Sequence, residues 1–471
     1  MAFSIFHHKV AEQRNNPPLK NKYGMDMCNG PLGIQIITYV IPLILTCLLQ
    51  FTFHAADIIV VGRYASHRAM AAVGSCGAFS HILITFYLGL SMGTNVIVAR
   101  AYGAKDNATL AKATHTAILT GLLCGLFGTF LTFFIARPIL TLMETPEDVI
   151  RLSTKYMQLY GLGLPFMMVN NFGSSVLRAT GDTRRPMYFL AIGGIANVLL
   201  NMLLVIVFHW DVEGVAVATA FSQVICATLT VQALRSSSDA TRLSLKKLRI
   251  HRSILLEMLR IGIPSGFQSS FFSLSNMVIQ SSVNSFGSLC MAGCAAASNI
   301  EGIAYAVSAS YYHTSQAFVG QNYGGRKLNR IKRCIFLCCA GVLILGTGLG
   351  VAMLFFGPLI LRIYNSNPEV IDWGMKRLYM ILCFYGLCGV MDVESGALRA
   401  LGYSTVSMVS CLLGSCVLRV LWVMTVFKSH RTLSWLIACY PVSWTFTGIV
   451  SGIILYYAYQ RTKAKLSAEA I

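Results

Sequence analysis

Long apolar stretches recur along the whole chain, each ended by a short group rich in Gly, Pro and charge. That pattern excludes most folds at once. A hydrocarbon core about 30 Å thick needs about 20 apolar residues in helical form to cross it. Inside it the backbone finds no water, so each segment must satisfy its own hydrogen bonds, as a helix does. The alternation expected of a membrane barrel is missing. Only 12% of the 471 residues are charged, 55% are hydrophobic, and the mean hydropathy is +0.63. Soluble domains carry about a quarter charged residues. The sequence therefore predicts an all-α polytopic membrane protein. Its spans fall near residues 33–62, 70–100, 111–136, 152–178, 185–208, 212–235, 254–285, 290–320, 331–357, 372–399, 404–428 and 433–459.

The formal net charge is +19. In a soluble protein that would point to nucleic acid, but here Lys and Arg sit between apolar runs. If the N-terminus is cytoplasmic, inside segments hold about 26 of the 37 Lys and Arg and outside loops about 10, which fixes that orientation by the positive-inside rule. One, Arg419, falls within a span. Both termini are then cytoplasmic, no nucleic-acid partner is expected, and the chain is read as monomeric in the lipid bilayer. The parts are a polar tail, 1–32 (with His7, His8, Lys9, Arg14, Lys20 and Lys22); an N-lobe, 33–235; a linker, 236–253; a C-lobe, 254–459; and a tail, 460–471. No cleavable signal peptide is legible. The fifteen cysteines form no CxxC pair, and several (Cys334, Cys338, Cys339, Cys411, Cys416) lie inside apolar runs, where Cys behaves as a small hydrophobe.

The halves repeat. A shift of about 221 residues lays Tyr102-Gly103 on Tyr323-Gly324, Leu177-Arg178-Ala179 on Leu398-Arg399-Ala400, and Gly181 on Gly402; Pro42 and Pro264 agree to within one residue. Each half holds an even number of spans, so both start on the same side. The repeats are therefore parallel, about an axis along the membrane normal, as in transporters that rock one half against the other around a central site.

Misplaced charge is the next signal. An ionised side chain in mid-bilayer costs at least about 2.5–3.5 kcal/mol, so it faces a cavity or a partner. Asp57, in Phe53-His54-Ala55-Ala56-Asp57-Ile58-Ile59, sits in the outer half of span one; the bland reading is a loop cap beyond a shorter span. A buried acid can trade a proton or Na⁺ as its surroundings change, because burial favours the neutral form and a cation the ionised one. Asn197 and Asn201 are i, i+4 on span five and share a face, and Thr219 follows on span six. Their oxygens beside one carboxylate suit Na⁺; equally, Asn and Thr serve as glue between membrane helices. On span ten Asp392 and Glu394 point about 200° apart. Arg419 on span eleven is the expected partner of Asp392, with Glu394 nearer the interface or a neighbouring helix. Glu301 on span eight either lines a cavity or makes a structural bond. Gln268, Asn171 and Asn299 are candidate polar groups of a substrate cleft.

The run Gly320-Gln321-Asn322-Tyr323-Gly324-Gly325-Arg326 ends a membrane helix and follows no strand, so it is not a nucleotide loop. No metal-spaced His pair or nucleophile–base set is present. An enzyme is not expected, nor any cofactor beyond a coupling ion.

At this point the chain resembles the multidrug and toxic-compound extrusion (MATE) family, in its bacterial branch, from about residue 28 onward. The likeness rests on Ala56-Asp57-Ile58-Ile59-Val60-Val61-Gly62, on Gly320-Gln321-Asn322-Tyr323-Gly324, and on the paired Leu177-Arg178-Ala179-Thr180-Gly181-Asp182 and Gly396-Ala397-Leu398-Arg399-Ala400-Leu401-Gly402. It implies twelve helices in two lobes around a central cleft in a bacterial inner membrane. It also implies efflux of amphipathic, often cationic compounds in exchange for Na⁺ or H⁺. In that family an Asp on the first helix, two polar residues i, i+4 on the fifth and a Thr on the sixth bind the cation. Asp57, Asn197, Asn201 and Thr219 match in order and spacing. Many members carry Asp where this chain has Asn201, and some an acid on the seventh helix where it has Phe272, with Gln268 one turn earlier. A lipid-linked oligosaccharide flippase can share the architecture but would want a strongly cationic cleft. A channel would lack counter-transport.

Overall fold

A computed structural model describes residues 23–468 except 65 and 144. The tail residues His7, His8, Lys9, Arg14, Lys20 and Lys22 lie outside the described residues. Twelve helical segments follow one another: α1 (Leu32–Tyr64), α2 (His67–Gly103), α3 (Asn107–Leu142), α4 (Glu147–Ala179), α5 (Arg184–Val207), α6 (Asp211–Arg235), α7 (Arg252–Asn284), α8 (Ser288–Gly324), α9 (Leu328–Tyr364), α10 (Pro368–Leu382 and Tyr385–Leu401, bent by 46°), α11 (Ser404–Phe427) and α12 (Leu433–Ala468). Each overlaps one of the twelve spans read from the sequence.

Eight of these are by themselves long and apolar enough to cross a membrane, nine with bent α10. The shortfall has a physical reason. α4, α7 and α8 bury polar side chains inside the protein: Ser153 and Ser175 on α4, Ser265 and Gln268 on α7, Ser308, Thr314, Gln316 and Asn322 on α8. Such rows lower the hydropathy of helices whose polar face meets other helices, where short polar side chains act as glue.

The repeat is visible in the backbone as well as in the letters. Lys105 and Arg326 have φ of 57° and 56°, and Gly181 and Gly402 have φ of 98° and 95°. Each pair is 221 residues apart. In both turns the amide of the residue after the left-handed position bonds back five residues, from Asp106 to Ala101 and from Lys327 to Asn322, at 3.0 and 2.8 Å. A wide, five-residue-spaced turn also recurs, at Met202–Val207 in α5 and at Val423–Phe427 in α11.

The chain divides into two compact units that cut across the linear repeats. One holds the described residues up to Met27 with Leu45–Ile263; the other holds Cys28–Ile44 with Pro264–Ile471. The first turns of α1 and α7 have changed sides. In the first unit the opening of α7 packs on α2, close enough that a Cβ on Gly93 would lie 2.1 Å from the Met258 carbonyl oxygen. In the second the opening of α1 packs on α8, with Tyr39 edge-on to Phe318 at 5.5 Å. Pro42 and Pro264 stand beside the two changeover points. Proline removes a helical hydrogen bond and permits a bend there.

Inside the first unit α3 and α4 meet backbone to backbone. A Cβ on Gly125 would lie 2.3 Å from the Pro165 Cα, and the Thr129 hydroxyl donates to the Gly161 carbonyl at 2.7 Å. Packing through small residues replaces the hydrophobic drive that lipid cannot supply. Gly125→Val should force the helices apart and cost about 1–3 kcal/mol. Gly348→Val, where an added Cβ meets nothing within 4 Å, should cost little. Thermal melting of both variants in detergent checks the contrast.

Candidate functional site

The first unit holds the acid picked out from the sequence, and its placement follows from the residues one turn earlier. Gly194 on α5 lets the Phe53 ring of α1 lie where a side chain would stand, with an added Cβ only 2.0 Å from it. Gly193 does the same for α6, bringing Cys226 close. One turn beyond Phe53 comes Asp57; one and two turns beyond Gly193 come Asn197 and Asn201. The glycines thus set the spacing at which a carboxylate and two amides meet.

The Asn197 amide donates to both Asp57 oxygens, at 2.9 and 3.1 Å, and the Asn201 amide donates to Oδ1 at 2.5 Å. Asn201 is fully buried and Asn197 nearly so. Val60, Val61, Val205 and Val215 form a buried apolar cluster with the half-buried Tyr156 packed on it. No basic side chain pairs with Asp57 among the described residues. The Oδ1 atoms of Asn197 and Asn201 are buried and have no hydrogen-bond partner. Leaving one such oxygen bare costs about 1–3 kcal/mol. Both amides turn their NH2 groups to the carboxylate; turned over, their bare oxygens would join it in a hard-oxygen set suited to a small cation. The wide turn of α5 begins directly after Asn201; such turns concentrate at functional sites.

Thr219 makes no hydrogen bond to Asp57, Asn197 or Asn201. Its hydroxyl donates to the Val215 carbonyl of its own helix at 2.9 Å, the bond that Thr commonly makes in a helix.

The second unit corrects several expectations. Arg419 does not pair with Asp392. Its Nε donates to Ser443 Oγ at 2.9 Å and Nη1 to Asn276 Oδ1 at 3.4 Å, and the guanidinium lies 4.4 Å from the Tyr440 ring centre and 5.7 Å from that of Phe272. Glu301 takes a partner that the sequence reading did not single out. Arg377, on the first segment of α10, donates to both Glu301 oxygens at 2.7 and 2.9 Å, and both side chains are largely buried. Gln268 is committed rather than open: its Oε1 accepts from Arg399 Nη2 at 2.7 Å, and the other Arg399 terminal nitrogen donates to the Tyr312 hydroxyl. Asn299 is exposed and bonds its own helix at the Ala295 carbonyl. Asn171 is half-buried on α4. Asp392 and Glu394 lie on α10, and Glu394 rests against Gly452 of α12.

A family model described as MatE matches residues 42–203 and 264–425 of the chain. These two blocks coincide with the internal repeat. A "Probable multidrug resistance protein YpnP" of Bacillus subtilis is 28% identical, covering 93% of this chain and 98% of its own. An "FAD transporter" of Shewanella oneidensis is 24% identical, covering 94% and 97%. Among solved structures, a MATE protein in its bent conformation superposes with a TM-score of 0.86 at 20% identity, over 95% of this chain and 100% of the other. An outward-facing multidrug resistance MATE transporter of the MOP superfamily gives 0.85 at 20% identity, over 95% and 99%. At that identity the structures speak for the fold.

Proposed function

Since this chain belongs to the MATE family of transporters, we propose that it is a secondary antiporter that expels amphipathic, often cationic compounds in exchange for Na⁺ or H⁺. The observation that carries this reading is the Asp57–Asn197–Asn201 cluster with its two unpartnered amide oxygens. A cation entering there neutralises the carboxylate and, as the amides turn over, gives both oxygens a partner. A ligand shifts a two-state equilibrium only through its differential affinity for the states. The charge of Asp57 supplies that difference, since a neutralised acid no longer attracts a cationic substrate. Residues Asn197 and Asn201 hold the carboxylate and would contribute oxygens to Na⁺; Thr219 Oγ1, while donating to Val215, keeps lone pairs free for the same ion.

Within this reading the protein lies in the bacterial cytoplasmic membrane with both termini inside, following its Lys and Arg distribution. A flippase for anionic lipid-linked sugars draws less support. Two buried cations of the second unit, Arg377 and Arg399, are already engaged by Glu301 and by Gln268 and Tyr312.

The test uses the purified chain in proteoliposomes loaded with a fluorescent amphipathic cation. An opposing Na⁺ gradient and an opposing proton gradient are imposed separately. One of the two should accelerate dye movement and the other leave it unchanged; acceleration by neither would end the antiport reading.

A further inference from the structure

We propose that the lipid-side groove between the second segment of α10 and α12 is a binding site for a lipophilic organic cation drawn from the bilayer. The proposal rests on the transport reading above and adds to it a place, separate from Asp57, where such a compound is held. The groove encloses about 770 Å³, within the range of pockets that hold a drug-sized ligand. Its floor carries Glu394, and Trp444, Tyr456 and Tyr457 line it.

Glu394 is the unusual feature. It makes no hydrogen bond and no ion pair among the described residues, and its Oε2 is buried without a partner. About 10 Å of helix separates it from Leu401 at the end of α10, which sets it inside the apolar layer. An unsatisfied carboxylate there is costly, and nothing in the protein offsets it. Two glycines keep it reachable. A Cβ on Gly452 would lie 3.0 Å from Glu394 Oε1, and a Cβ on Gly448 would meet nothing within 4 Å. Gly448 and Gly452 thus leave α12 without side chains where it borders the groove that Glu394 also lines. Tyr456 and Tyr457 are 61% and 64% exposed beside it, and aromatic faces attract cations. An acid at the bottom that a bound cation would hold ionised, aromatic rings at the side and an apolar opening match an ammonium or phosphonium centre on a hydrophobic body. An aminophospholipid headgroup offers the same charge, but the apolar, ring-lined opening favours a compound whose cationic centre is itself surrounded by hydrocarbon.

The probe is radiolabelled tetraphenylphosphonium, measured by equilibrium binding to the full chain in phosphatidylcholine nanodiscs. All variants carry Asp57→Asn, so that binding at that acid is removed. Binding should persist in Asp57→Asn alone. Glu394→Gln added to it should weaken binding about tenfold, and so should Gly448→Leu, which fills the opening where no atom stands in the way. If the Glu394 variant fails to fold, the Gly448 variant decides. Unchanged binding in both would overturn the proposal. So would loss of the probe, dependent on Glu394, when phosphatidylethanolamine is added, since the headgroup would then be the occupant. Normal efflux by Asp57→Asn beside Glu394-dependent binding would sink the antiport mechanism and leave the groove standing; the reverse pair of results would sink the groove alone.

Discussion

Asp57→Asn is expected to lower ion-driven efflux by at least about 100-fold while the protein still folds and inserts. The substitution keeps size and shape, and an amide at position 57 can still bond Asn197 and Asn201. It removes the charge and turns one acceptor oxygen into a donor. If the charge is what distinguishes the ion-loaded from the substrate-loaded state, the coupling free energy vanishes with it, and coupling of about 1–3 kcal/mol is typical between linked sites. Transport needs that coupling in every cycle, so the loss of rate exceeds the loss in any single affinity. Folding should not suffer, because burying an unpaired carboxylate carries a penalty that the neutral amide escapes. Dye efflux from proteoliposomes, read beside the melting temperature, checks both halves of the expectation. Wild-type efflux by the variant would refute the role given to Asp57.

The second large effect concerns stability. Arg377 and Glu301 form a two-pronged ion pair with side chains 7% and 12% exposed. Removing one partner strands the other charge. Arg377→Met should therefore cost about 3–5 kcal/mol, and Glu301→Gln a similar amount. The double variant Arg377→Met with Glu301→Leu should recover most of the loss, since well-packed apolar residues commonly replace a buried pair without penalty. Melting in detergent of the two single variants and the double one tests this. Single variants within about one degree of wild type would show that the pair is not buried from water.

The limits of the sequence show in which of these residues it found. Helix positions were legible because membrane burial imposes a length and a composition that few other folds share. The Asp57–Asn197–Asn201 meeting was legible too, because two amides one turn apart share a face whatever lies opposite. Arg419 was misassigned for a physical reason. It lies between two wide turns of α11, at Leu412–Val417 and Val423–Phe427. Each such turn moves the following residues off the face that a 3.6-residue period assigns. Arg419 thus reaches Ser443 and Tyr440 of α12 rather than Asp392. Arg377 was missed because it stands near the end of a span, where charge usually means solvent. The bend between Leu382 and Tyr385 splits α10, and the first segment packs against α8 with Arg377 on Glu301. The exchanged openings of α1 and α7 were out of reach, since a helix read as one span gives no sign that its two halves belong to different compact units.

The most direct test of the central claim measures cation release. Purified protein in weakly buffered solution, equilibrated with radioactive Na⁺ in a parallel sample, is mixed with saturating substrate. The wild type should release about one proton or one Na⁺ per protein, as required when two ligands exclude each other, and Asp57→Asn none. Undiminished release from Asp57→Asn would contradict the claim.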